Sequence, residues 1–280
     1  MNWLVMKERL EKAMTNQDSH FKGYSLLEAL SLLVRERFIT RAAQSEVGDA
    51  FIFKGGLLLT MMYTKGSRYT NDADVTIIGP NDLQTLQKTI DTIMGIELED
   101  GFKFTRNTGH IISNDMREYD GAQFQITCEI EGYQPQKFNL DIGIGDAVKP
   151  ILSKLPTLEE LSATALEVQV YPPETIAAEK LHACIYHGAD NTRMKDYYDL
   201  YQLREIVDIK KFNAAARATF KRRKEEYPCA LPEDEIKNSQ LQTRWDSFLK
   251  SQKSRVFREM PKDIASVMKS IREFYGTVKP

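Results

Sequence analysis

The sequence predicts a mixed α/β (α+β) domain followed by a helical one. Three observations lead there. Between residues 51 and 144, short alternating or β-branched runs are interleaved with helical patterns. Beyond Pro172-Pro173 only helical patterns remain. The charge balance also reverses: 18 Lys+Arg stand against 11 Asp+Glu from Tyr201 onward, and 20 against 29 before it, giving +7 and −9 and a net −2. The break at 171–173 divides a domain of residues 1–171 from a basic helical domain of 172–280. With 280 residues and 42% hydrophobic content, the chain can bury a sizeable core.

Taken in order, residues 3–14 and 25–44 read as helices. Ser25-Leu26-Leu27-Glu28 fits a capping box, and Leu26, Leu27, Leu30, Leu33 and Val34 form an apolar stripe. Phe51-Ile52-Phe53 is a short strand ending at Lys54-Gly55-Gly56, after which 57–63 is helical. Val75-Thr76-Ile77-Ile78 is a β-branched run closed by Gly79-Pro80, and 83–94 has a helical pattern. Segments 102–106, 123–131 and 138–144 then suit an antiparallel or mixed sheet. Helices are expected over 174–186, 195–206, 212–226, 241–253 and 262–275.

Several classes drop out. No apolar stretch approaches the roughly 20 residues of a membrane span. The N-terminus meets Lys7, Glu8 and Arg9 at once, unlike a secretory signal, so a cytoplasmic protein is expected. Cys128, Cys184 and Cys229 are too scattered for a disulfide framework or a zinc site. Neither phosphate-binding glycine motif, Gly-x-x-x-x-Gly-Lys-Ser/Thr or Gly-x-Gly-x-x-Gly, is present.

The chemistry concentrates in acids and glycines. In Asp72-Ala73-Asp74-Val75-Thr76-Ile77 two carboxylates two residues apart project from one face at the head of a strand. Close carboxylates repel unless a metal or cationic side chain neutralises them. Asp141, in Asn139-Leu140-Asp141-Ile142-Gly143, joins them if its strand is a neighbour. Hard oxygen ligands completed by substrate phosphates suit Mg²⁺ and phosphoryl or nucleotidyl transfer. An Asp-x-Asp pair alone is more often a solvated strand end. Gly55-Gly56, between a strand and a helix, lets backbone N–H groups approach a triphosphate, although a tight turn without a ligand needs the same residues.

These motifs together resemble those of a known family. Lys54-Gly55-Gly56, a short helix, and Arg68-x-Thr70-x-Asp72-x-Asp74 resemble the first motif of the AbiEii-type nucleotidyltransferases, the toxin half of abortive-infection and related toxin–antitoxin pairs. Leu140-Asp141-Ile142 is similar to the third-acid strand, Ile176-Ala177-Ala178-Glu179-Lys180-Leu181 to the lysine helix, and Arg193-Met194-Lys195-Asp196-Tyr197-Tyr198-Asp199-Leu200-Tyr201 to the distal acidic motif. Val75 and Thr76 depart from members with an aromatic after the second acid.

The resemblance implies a polymerase-β-like nucleotidyltransferase core with a helical second domain, acting on a nucleoside triphosphate. Asp72, Asp74 and Asp141 would hold two Mg²⁺ ions, and Asp141 would help deprotonate the incoming hydroxyl. Lys54, Gly55, Gly56, Arg68, Thr70 and Arg193 would bind the nucleotide, with Lys180 and Asp196 completing the catalytic set between the domains. The implied acceptor is the tRNA 3′ end, and a cognate antitoxin is a further partner. The same chemistry on a small molecule or protein hydroxyl is the alternative, as is a catalytically silent chain that binds RNA or antitoxin.

Each residue also has a plain reading. Lys180 and Arg193 match solvated helix charges, and Lys221-Arg222-Arg223-Lys224 matches either a polyanion-binding patch or a solvated helix face. His182 and His187 lie five apart, off a common face, so a metal pair is not expected. Asp196 and Asp199 share a helix face, and Tyr197, Tyr198 and Tyr201 have the spacing of packing residues.

Overall fold

Alternation of apolar and polar side chains builds a seven-stranded sheet in the first part of the chain. Its strands are β1 (Phe51–Lys54), β2 (Asp72–Ile77), β3 (Phe102–Ile112), β4 (Gly121–Ile130), β5 (Gln136–Ile144), β6 (Ile151–Lys154) and β7 (Glu167–Val170). They lie in the order β3-β4-β5-β2-β1-β7-β6. β2 runs parallel to β5 and β1 to β7, and the other ladders are antiparallel, so the sheet is mixed. The computed structural model describes residues 1–63, 68–79, 82–112, 121–145, 148–158, 166–227, 239–252, 257 and 259–276. It divides into two compact units, Met1–Asp146 with Pro150–Tyr171, and Ala147–Lys149 with Pro172–Pro280.

In the first unit, one face of the sheet is apolar. Ala73, Val75, Phe124, Ile126, Phe138, Leu140 and Ile142 alternate with polar residues and are buried. Burying each large apolar side chain contributes about 1.5–3 kcal/mol. Helix α2 (Leu26–Gln44) covers this face, with the Phe38 ring edge-on to Phe104 and Phe138 at 5.7 and 5.5 Å. Helix α1 (Trp3–Thr15) packs on α2, as does α4 (Leu83–Met94).

The capping box forms as expected: Ser25 Oγ accepts from the Glu28 N–H, and the Glu28 carboxylate accepts from the Ser25 N–H at 2.8 Å. The apolar stripe is buried at Leu30, Leu33 and Val34 but not at Leu27, and it understates the burial of the helix. Leu27 is 64% exposed, whereas α2 is buried on every side from Leu32 to Ala42, Arg35, Glu36, Arg37 and Arg41 included. Neighbours surround its second half, and the buried charges are matched by partners that no local pattern announces. Glu36 accepts from the Leu158 N–H and faces His20. Arg37 and Arg41 close on Asp100 at 2.8 and 2.9 Å. Burial pushes the Asp100 carboxyl up, but the two guanidinium groups outweigh it and hold it below its ordinary value.

Other boundaries moved. β2 starts at Asp72, so the two acids stand at the head of the strand as expected and the strand begins three residues before the β-branched run, while β6 and β7 were too short to register as patterns. The helix after β1 begins two residues earlier, as α3 (Gly55–Leu58), and continues as a π-helical turn over Leu59–Tyr63.

The second unit is helical: α5 (Pro173–His187), α6 (Met194–Leu203), α7 (Ile209–Arg222), α8 (Ser239–Ser251) and α9 (Ile264–Tyr275). Pro173 opens α5 where its missing N–H costs nothing, and Asp208 and Asp263 cap α7 and α9. α5 packs on α6 and α7, and α6 on α8 and α9. Tyr197 and Tyr198 are core residues, with Tyr198 stacked on Phe257 at 4.8 Å, whereas Tyr201 lies against the Arg204 guanidinium. α7 stops at Arg222, so the basic run is not one helix face: Lys221 and Lys224 are exposed, while Arg222 and Arg223 are half-buried and burial pulls Arg223 down to about 10. Among the described residues no helix is long and apolar enough to cross a membrane. Cys128 and Cys184 are buried thiols whose burial raises their pKa, and Cys229 lies outside the described residues.

Candidate active site

The polar face of the sheet carries the acids. In the parallel β2–β5 ladder Asp74 lies opposite Asp141 and Asp72 opposite Asn139. On the flanking ladders Lys54 lies opposite Asp74, and Gln123 opposite Asp141. Residues opposite one another share a face, so Lys54, Asp74, Asp141 and Gln123 form one row across four strands about 4.8 Å apart. Asp72 lies one pleat along on the same face. The intervening Ala73, Val75, Leu140 and Ile142 face the core, which fixes the carboxylates outward. All three acids are half-exposed. Gln123 Nε2 donates to Asp141 Oδ1 at 2.7 Å, orienting that carboxylate.

The glycines are fitted to this row. Gly55 has φ +71°, a conformation that disfavours a side chain, and a Cβ there would fall 2.0 Å from Asp74 Oδ2. A Cβ on Gly56 would approach Arg68 Nη2 at 2.8 Å and Thr70 Oγ1 at 3.1 Å. The two glycines thus admit Asp74, Arg68 and Thr70 against the backbone that opens α3. Arg68 is buried, its carbonyl accepting from Thr60 Oγ1 at 3.0 Å. Lys54 is also buried, with Nζ 5.4 Å from the centre of the Tyr171 ring. Tyr171 in turn bonds Thr76 Oγ1 through its hydroxyl at 3.0 Å and accepts from the Tyr63 hydroxyl at its carbonyl.

Asp74 and Asp141 supply hard oxygen donors side by side, with Asp72 a pleat away. Among the described residues no three His, Cys, Asp or Glu side chains form a ready-made ion cage. That donor set still fits Mg²⁺, which is ordinarily held by one or two carboxylates and completed by substrate phosphates and water.

A family model described as nucleotidyl transferase AbiEii toxin, type IV toxin–antitoxin system, matches residues 37–266. The chain belongs to the AbiEii family. No curated protein matches it. The family is one of nucleotidyltransferase toxins, as the sequence motifs implied.

The other residues singled out from the sequence, Lys180, Arg193, Asp196 and Asp199, lie in the second unit and form a cluster of their own. Lys180, on α5, reaches Asp196 Oδ1 at 2.8 Å and Asp199 Oδ2 at 2.7 Å, both on α6. Arg193 Nε donates to Asp196 Oδ2 at 2.8 Å. The solvated-charge reading of Lys180 does not hold, since its side chain is 11% exposed and bridges two buried acids. Burial pushes Asp196 up, but Lys180 and Arg193 outweigh it and hold the carboxyl below its ordinary value. His182 is buried beside Phe220 and faces Glu225 at 3.1 Å, while His187 is exposed.

Sequence reasoning missed Gln123, Tyr171 and Arg35. Gln123 lay on an expected strand, and its place beside Asp141 required the register. Arg35 donates from Nη2 to the Thr70 carbonyl at 2.7 Å and from Nη1 to the Asn71 carbonyl at 3.0 Å, immediately before Asp72. No spacing rule connects residue 35 with residue 71.

Proposed function

We infer that this AbiEii-family chain transfers a nucleotidyl group from a nucleoside triphosphate to an RNA hydroxyl, the tRNA 3′ end being the acceptor that the family resemblance implies. The observation that carries the reading is the cross-strand row of Asp74 and Asp141 with Gly55 closed against Asp74. Asp72, Asp74 and Asp141 would hold Mg²⁺, two ions in the full site, which when bound supplies Lewis acidity toward the phosphate oxygens and the departing pyrophosphate.

The chain's own residues do the rest. The backbone of Gly55 and Gly56 presents N–H groups to phosphate oxygens, with Arg68 and Thr70 beside them and Lys54 adding positive charge. Gln123 holds one Asp141 oxygen and so aims the carboxylate. The acceptor oxygen bonds to the α-phosphorus as the α–β anhydride bond breaks; its proton passes toward Asp141 and pyrophosphate leaves. Lys180, Asp196 and Arg193 enter as a preformed charge cluster, with the catalytic and nucleotide-binding roles that the resemblance gives them.

The charge of the second unit supports RNA as acceptor. Lys210, Arg217 and Lys221 are exposed on α7 at i, i+7 and i+11, a single solvent-facing row. The toxin family implies a cognate antitoxin in general, and a cytoplasmic setting is part of the same proposal. The test is incubation with each α-labelled triphosphate, Mg²⁺ and total RNA. Label should enter small RNA, and Asp74→Asn should abolish it. Label on protein or on a small molecule would move the acceptor. No label anywhere would leave the chain a silent RNA- or antitoxin-binding member.

A further inference from the structure

We propose that Arg35 is a positioning residue of the site: its guanidinium sets the conformation of residues 70–71 and through it the placement of Asp72. The inference rests on the nucleotidyl-transfer reading and goes beyond the motif residues. Arg35 lies outside the matched span of 37–266.

The geometry is specific. Arg35 is 1% exposed, on the part of α2 buried all round. Its hydrogen bonds go to three neutral oxygens: Ser31 Oγ at 2.9 Å, the Asn71 carbonyl at 3.0 Å and the Thr70 carbonyl at 2.7 Å. Residues 69–71 precede the first strand residue, Asp72, and one planar fork that reaches two successive carbonyls fixes their directions relative to each other just before β2 begins. Thr70 is pinned from its other end as well, because its Oγ1 lies against Gly56. Asp72 is therefore the first residue of the strand to leave a segment fixed at two points.

The electrostatics point the same way. A buried cation is costly unless paired, and burial lowers the Arg35 pKa; the Tyr69 hydroxyl and the Asp72 carboxylate offset part of that cost, although no carboxylate among the described residues closes on it as a salt bridge. Arg41, six residues along the same helix and equally buried, shows the ordinary solution: it is closed on Asp100 from two nitrogens and also holds the Phe102 carbonyl. A helix that only had to pack would be served by an apolar residue at 35. What an arginine adds there is a rigid two-pronged donor aimed at the approach to Asp72, which a lysine ammonium on a flexible stem does not reproduce.

Arg35→Lys and Arg41→Lys separate positioning from packing. In the full chain, both should lower the thermal midpoint. Arg35→Lys alone should speed amide exchange at residues 69–72, by about tenfold, as that segment opens more readily. It should also lower kcat by about 10²-fold, the cost of a misplaced group, with KM for the triphosphate little changed. Arg41→Lys should leave both readouts near wild type. Unchanged exchange at 69–72 in Arg35→Lys, or a kcat no lower than that of Arg41→Lys, overturns the proposal. If wild type transfers nothing under any condition, the nucleotidyl-transfer reading falls by itself, and the exchange measurement still decides whether Arg35 holds the segment.

Discussion

The two units each gather acidic residues, and they compensate them differently. In the second unit Asp196 and Asp199 are buried, and each already holds Lys180, with Arg193 on Asp196 as well. In the first unit Asp72, Asp74 and Asp141 are half-exposed on a strand face, and the hydrogen bond given to Asp141 comes from a neutral amide. Carboxylates matched by their own cations make a preformed cluster that contributes to stability whatever further role it has. Carboxylates set side by side and open to solvent suit an incoming cation and its phosphates.

The contrast breaks most sharply on paired substitutions. Asp74→Asn should reduce nucleotidyl transfer by about 10³-fold or more while leaving the unfolding midpoint nearly unmoved, because half-exposed repelling acids contribute little to folding. Asp196→Asn should do the reverse to stability, costing about 1.5–3 kcal/mol, because Lys180 keeps Asp199 but loses one of its two buried carboxylates, while the half-exposed Arg193 is left to solvent. Denaturant unfolding followed by the fluorescence of Trp245, with Trp3→Phe as background, reads the second effect directly. Lys180→Ala should behave like Asp196→Asn in that assay, and a midpoint unchanged in either variant would mean that the cluster is not the stabilising one described.

Acid sharpens the same difference. Burial pulls the His182 imidazole below its ordinary value despite the opposing Glu225 and Glu179, so below about pH 6.5 the unfolded chain binds a proton that the folded one refuses. Stability is then full above that pH and falls as the pH drops toward the folded value. Asp196, held below its ordinary value, adds a second loss beginning below about pH 4. Trp245 should therefore report a falling midpoint between pH 7 and 5, and His182→Gln should flatten that part of the profile.

The smallest effect concerns the exposed cations. Replacing Lys210, Arg217 and Lys221 with Gln should lower the magnitude of the salt slope of RNA binding by up to about 0.7–0.9 for each phosphate these side chains neutralise, without changing stability appreciably. An identical slope would return α7 to a solvated face.

What could be read before the fold was known followed from local chemistry. The Ser25–Glu28 box, the strand-turn-helix at Gly55-Gly56, the alternation that turns Asp72, Asp74 and Asp141 to one face, and the helical character after Pro172-Pro173 are all short-range, and short-range rules reach them. The apolar stripe on α2 caught Leu30, Leu33 and Val34 but not the burial of the charged residues beside them, because burial on all sides is a property of neighbours. Lys180 looked solvated because its two partners are 16 and 19 residues away on another helix. The basic run was open to reading as a polyanion-binding patch or a solvated helix face, and nothing local marked α7 as ending at Arg222.

The sequence by itself determined which residues have the chemistry, since acid spacing, glycine placement and motif order are covalent facts. Only the tertiary structure decided which of them meet. The β2–β5 register puts Asp74 beside Asp141, the positive φ of Gly55 lets the backbone close on Asp74, and Arg35 reaches Thr70 and Asn71 across 35 and 36 positions of chain. Strand register is set by burying the whole apolar face at once, and a slip of one residue would turn every acid into the core. No local segment has that information, because the energy that selects it is shared by the entire sheet.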